Sequence, residues 1–150
     1  MKKFQFSLDT VLDYKQQVLD SRQGEYGIAA AAVHVQERVL EQANQRYVEY
    51  GAEYSRRQAE GMTIADALAG QNALRAMENE IARAQIRLDD LRKEAEAKRA
   101  QMVEAKKETA TIEKLREKKL DIYKKEQQKR EEAFIDELVS TNRVMAASNM

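Results

Sequence analysis

The sequence contains no cysteine, no proline and no tryptophan. Without cysteine there are no disulfides and no thiolate metal sites, which fits a reducing compartment. A chain of this length ordinarily carries roughly seven prolines, and with none of them no residue forbids helix by removing a backbone donor. Three phenylalanines are too few bulky rings to centre a globular core. The longest apolar stretch, Ile28 to Val35, is broken by His34 and falls far short of the ~18 residues of a transmembrane helix. Met1 to Lys3 lead into an amphipathic pattern rather than an apolar run, so no signal peptide is expected and the chain reads as cytoplasmic.

What is present is charge and helix formers. Charged residues make up 35% of the chain, above the usual ~25%, so little of it can be buried. Ala, Glu, Lys, Leu and Arg supply 77 of the 150 residues, the proportion of coiled coils and long helices. The net charge of +0 gives no reason to expect nucleic acid or anionic membrane as a partner. One local imbalance survives. From Lys114 to Arg130 eight basic residues face Glu117, Asp121 and Glu126, a net +5 that reads first as a solvated helix face.

Leu12, Leu19, Tyr26, Val33, Leu40, Tyr47 and Tyr54 recur every seven residues, which is a coiled-coil seam. A second seam runs through Ala67, Leu74, Ile81, Leu88, Ala95 and Met102, accompanied by Met77, Ala84, Leu91, Ala105 and Ile112. Leu115 and Ile122 are out of step with it and suggest a phase slip after Ile112. Arg22 and Lys98 at seam positions mark a soft place where like charges weaken packing. Between the seams, Gly61 suits the left-handed conformation that ends a helix and Thr63 suits an N-cap, with Asp66 three residues on. The expected fold is therefore all-α, an antiparallel two-helix coiled-coil hairpin forming a single domain over 1–150. Its first helix spans about 4–59, its turn about 60–63, its second helix about 64–139, and a frayed tail 140–150. Folding about Gly61 pairs residues whose numbers total about 122, so a C-terminal helical overhang beyond about Asp121 has nothing opposite it.

No catalytic, cofactor-binding or metal site can be named. Two helices enclose no water-excluding pocket. His34 stands alone and one residue off the seam, the five glycines form no phosphate-cradling loop, and the carboxylates have Lys and Arg partners at helical spacing. The chain is read as a protein that works by touching other proteins, not as an enzyme.

The opening Phe4-Gln5-Phe6-Ser7-Leu8-Asp9-Thr10-Val11-Leu12-Asp13-Tyr14-Lys15 resembles the N-terminal signature of the flagellar type III export protein FliJ family. The turn near residue 61, Tyr50 and Tyr54 just before it, and the terminal helix from Lys114-Leu115-Arg116-Glu117 to Ile135-Asp136-Glu137 are similar to that family over nearly the whole chain. The injectisome stalk proteins share the design. The resemblance implies a stalk-like coiled coil of the export apparatus at the cytoplasmic face of the flagellar basal body, serving motility and peripheral to the membrane only through its partners. Those partners are a hexameric export ATPase (FliI-like), the cytoplasmic domain of an export gate protein (FlhA-like), and export chaperones. The family is also linked to assembling the ATPase ring.

Carried over by residue, the resemblance places ATPase binding on Phe4, Phe6, Leu8, Val11 and Leu12 together with Lys118, Lys119, Ile122, Phe134, Ile135 and Leu138 of the terminal helix. It places export-gate binding on both helices near the turn. Tyr50 and Tyr54 match the family there, Tyr47 and Met77 each replace an aliphatic residue, and Ala73 and Glu80 depart from it. The bland alternative for the tyrosines is packing against Leu68, Gln71 and Leu74, although tyrosine can bury its ring and keep its hydroxyl at the rim. The alternative for the whole chain is a homodimeric structural scaffold that pairs with itself through its tail.

Overall fold

A computed structural model describes residues 3–149. They form two helices, α1 (Asp9–Glu60) and α2 (Ile64–Ser148), packed against each other as an all-α hairpin, with no strand among the described residues. Contacts divide the chain into two compact units. One is Asp20–Glu104, which holds the turn; the other joins Met1–Leu19 to Ala105–Met150.

In the unit Asp20–Glu104, Gly61 has φ 99°, a conformation in which a β-carbon would be strained. Its N–H donates to the Gln58 carbonyl at 3.2 Å. The Thr63 hydroxyl accepts the Asp66 N–H at 3.1 Å, satisfying one of the donors a helix start leaves free. Ala43, Tyr54, Ala84, Leu88 and Leu91 form the buried strip of this unit, each on a heptad position of its helix. The Gln36 side-chain amide donates to the Ala84 carbonyl at 3.1 Å across the seam. Arg22 and Lys98, expected to repel, share a counter-ion: the Glu25 carboxylate lies 3.2 Å from Arg22 and 3.5 Å from Lys98. The Arg22 hydrogen bond, helped by the charge of Lys98, holds the Glu25 carboxyl below its ordinary range.

In the other unit, three features differ from the sequence reading. The first helix begins at Asp9, not near Phe4, and its first backbone bond runs from Leu12 N–H to the Leu8 carbonyl at 2.8 Å. Ahead of it Phe4 and Phe6 are sheltered while Lys3, Gln5 and Ser7 are exposed, the two-residue alternation of an extended segment, which ends in a turn at Ser7 and Leu8 closed by the Asp9 N–H on the Phe6 carbonyl at 3.1 Å. Because an extended chain rises about 3.3 Å per residue against 1.5 Å in a helix, this segment reaches further along α2 than helical pairing allows. Phe4 meets Tyr123 and lines a groove with Glu126, Gln127 and Arg130, so the uncovered part of α2 starts after Gln127 rather than at Asp121.

The expected slip does not seat Leu115 and Ile122 in the seam: both face away. Thr109, Arg116 and Tyr123 keep the seven-residue spacing, while the companion stripe Ala105, Ile112, Leu120 and Gln127 shifts by a single residue after Ile112. Polar residues occupy the true seam: the buried Thr109 hydroxyl donates to the Ala105 carbonyl at 2.8 Å, with the Lys15 carbonyl of α1 3.2 Å away. Finally, α2 does not fray at Val139 but stays helical to Ser148, since no glycine or proline follows Gly70. Met150 of the expected frayed tail lies outside the described residues.

Candidate interaction surfaces

Near the turn, the tyrosines have separate surroundings. Tyr54 is buried; its hydroxyl donates to the Ala67 carbonyl at 2.8 Å and accepts the Gln58 amide at 3.1 Å. Its ring lies where a β-carbon on the buried Gly70 would stand. Tyr47 is half-buried and donates to Glu78 at 2.7 Å, a bond that raises its hydroxyl pKa because the proton is what binds the carboxylate. Tyr50 and Met77 are half-buried beside the seam. A groove of about 620 Å³ opens between Tyr50, Arg57, Gly61 and Asp66. Leu68 does not pack on these rings: it is exposed, because Ala67 and Gly70 hold the positions that face α1. Sequence reasoning missed the exposed Ile64 and Leu68, although their four-residue spacing off the second seam signalled a separate apolar edge.

The residues assigned to ATPase binding also separate. Phe6 and Leu12 are buried and Phe4 and Leu8 half-buried, so these four attach the N-terminal segment to α2. The Phe4 ring stands 5.5 Å from Tyr123, tilted 51°. The Arg116 guanidinium lies 5.6 Å from its other contact, the Phe4 ring centroid, and bonds Asp9 at 3.3 Å, joining segment, helix start and α2 in one cluster. Val11, Lys118, Lys119, Ile122, Phe134, Ile135 and Leu138 are exposed.

Beyond Gln127 every described residue of α2 is exposed. The seam spacing nevertheless goes on: Phe134, Leu138 and Met145 lie 7, 11 and 18 residues after Gln127, on the helix face that carried Thr109 and Arg116 toward α1 and Tyr123 toward Phe4. Around it the charge changes sign, because Glu131, Glu132, Asp136 and Glu137 against Arg143 leave a net −3 after the +5 of Lys114–Arg130.

No cluster of potential metal ligands occurs among the described residues, and no helix is long and apolar enough to cross a membrane. The described residues are those of an all-α helical hairpin, a coiled-coil protein. The chain belongs to the FliJ family: the family described as flagellar FliJ protein matches residues 4–146. Searches of curated proteins and of solved structures each gave no match. Membership makes the chain a flagellar export component, from a coiled-coil family rather than an enzyme family.

Proposed function

We propose that this protein is the stalk-like coiled coil of a flagellar type III export apparatus, acting in the cytoplasm at the basal body. Its N-terminal segment and the end of α2 bind the hexameric export ATPase and promote ring assembly. Its surface near the turn meets the cytoplasmic domain of the export gate, and it assists export chaperones. The observation that carries this reading is the seam of α2 running on through Phe134 and Leu138, 62% and 48% exposed, after its own chain has stopped covering it. An apolar stripe continuous with an internal packing face is suited to a partner that takes over the packing.

The charge pattern opposes a scaffold of two parallel tails, because pairing along this stripe would bring the acidic residues 131–137 of each copy together, which is unfavourable. On the gate side Tyr47, Tyr50 and Met77 supply the accessible surface, with Ile64 and Leu68 adjoining, while Tyr54 holds the turn that presents them.

The test is the double variant Phe134→Asp, Leu138→Asp. Both side chains are exposed, so helicity and melting should stay near wild type, whereas stimulation of the export ATPase should fall more than tenfold, about 1.4 kcal/mol. Undiminished stimulation overturns the assignment of this end. For the gate, Tyr50→Leu should weaken binding of the gate's cytoplasmic domain without shifting the melting temperature.

A further inference from the structure

We propose that the free protein pairs with a second copy of itself through one flank of the unit Asp20–Glu104, as an antiparallel two-fold dimer centred near residue 33 of α1 and residue 90 of α2. The proposal is independent of the ATPase and gate readings, whose residues lie elsewhere.

Ile28, Ala32, Val35 and Val39 follow the three-four spacing of a coiled-coil seam, yet all but the half-buried Ala32 are exposed. Ile28 is 75% exposed and Val35 51%. Beside Ile28 and Ala32 a groove of about 370 Å³ is floored by Leu91 and edged by Arg87 and Glu94. Both ends of this flank are closed by ion pairs. Lys98 meets Glu25 at 3.5 Å, and Arg46, five full turns along α1 from Ile28, meets Glu80 at 2.8 Å. Between those bridges the α1 side presents four apolar residues in succession, and then the uncharged Gln42 beside Arg46. The opposite flank is different: Glu37 and Arg92 bridge it at 3.5 Å.

Arg87 and Glu94 are exposed, and neither has an ion-pair partner among the described residues. They stand two turns apart on α2, about 10 Å, too far to pair with each other. A two-fold axis across the flank removes the mismatch. In an isologous contact residue i meets residue j while j meets i. Setting Ile28 on the second copy's Val39, and Ala32 on its Val35, centres the axis between residues 33 and 34. Setting Arg87 opposite the second copy's Glu94 centres it between residues 90 and 91. In the register of the Lys98–Glu25 pair, residue 90 stands across from residue 33, so one axis serves the apolar stripe and the charge pair together. The two Arg87–Glu94 pairs favour the antiparallel orientation and outnumber the one like-charge approach, that of the two Asp90 carboxylates at the axis; the stripe supplies the burial.

Sedimentation equilibrium of the full chain, from low micromolar to on the order of 100 µM, should show a reversible change from the 17.3 kDa monomer to twice that mass. Val35→Glu should raise the dissociation constant more than tenfold with helicity unchanged. Arg87→Glu and Glu94→Arg should each weaken association, and the double charge reversal should restore it to within about threefold. A protein that remains monomeric throughout overturns the proposal. So does a dimer that is indifferent to Val35→Glu, one that the double reversal fails to restore, or one abolished by Phe134→Asp, Leu138→Asp, which would place association on the tail.

Discussion

The Tyr54 ring occupies the space that a side chain at Gly70 would need, and its hydroxyl reaches the Ala67 carbonyl one turn earlier on α2. Glycine in a helix interior is ordinarily a weakness, and replacing it by alanine gains up to about 1 kcal/mol. Here the sign reverses. Gly70→Ala forces the buried ring off its seat, an overpacking cost of about 1–3 kcal/mol, so the variant should unfold at lower denaturant than wild type. Tyr54→Phe keeps the ring and removes the hydroxyl's two hydrogen bonds, to the Ala67 carbonyl and from the Gln58 amide, each worth about 0.5–1.5 kcal/mol. In the double variant Gly70→Ala, Tyr54→Leu the penalties should not add, because the smaller side chain makes room. Additive chemical-denaturation energies would show that the two residues are not coupled.

That relationship also marks the boundary of what the sequence displays. Heptad spacing locates Leu12, Tyr54, Leu88 and Leu91 on buried faces because those faces depend on period alone. It does not say which tyrosine goes into the seam and which stays at the rim, since this depends on the residue across the gap. Gly70 admits Tyr54, whereas Glu78 draws the Tyr47 hydroxyl outward. The continuous seam through Arg116 and Tyr123 was concealed by the apolar Leu115 and Ile122, which look like seam residues and are not. Phe4, Phe6 and Leu8 gave a legible signal: they alternate with Gln5, Ser7 and Asp9 at the period of extended chain. Excellent helix formers downstream masked it.

Tyr47 yields an expectation for alkaline pH. Its hydrogen bond to Glu78 raises its pKa above the ordinary tyrosine value, with desolvation acting the same way. A group whose folded pKa is raised contributes stability that is present below its unfolded value of ~10 and is lost as pH rises through the folded value. Tyr47→Phe should therefore melt slightly below wild type at neutral pH, and the difference should vanish well above pH ~10. Glu78→Gln should return the Tyr47 titration toward the ordinary value in a spectrophotometric experiment. A Tyr47→Phe difference that is constant through the alkaline range would mean that the hydroxyl contributes nothing through its proton.

The N-terminal segment should come off α2 without unfolding either helix. Phe6 is its one buried ring, and the half-buried Phe4 has a tilted contact with Tyr123 and the Arg116 guanidinium over its ring. Residues 3–8 lie outside the helix and are tied to its start by two backbone bonds, Asp9 N–H to the Phe6 carbonyl and Leu12 N–H to the Leu8 carbonyl, and regions with so few bonds open at lower free energy than the rest of a structure. Phe6→Ala removes a buried aromatic worth about 3–5 kcal/mol where the cavity persists. A segment free to detach fills no cavity, so global stability should fall by less than that, while protease cleavage near Lys3 should rise sharply. Arg116→Ala should have a similar local effect with an added loosening of the α1 start, because Asp9 loses its partner. Arg116→Lys keeps the charge near Asp9 but not the planar group over Phe4, and should restore protection of the α1 start more than of the segment. Hydrogen exchange resolved by residue distinguishes the two regions. Equal changes across α1, α2 and the segment in Phe6→Ala would show that the segment is an integral part of the cooperative fold.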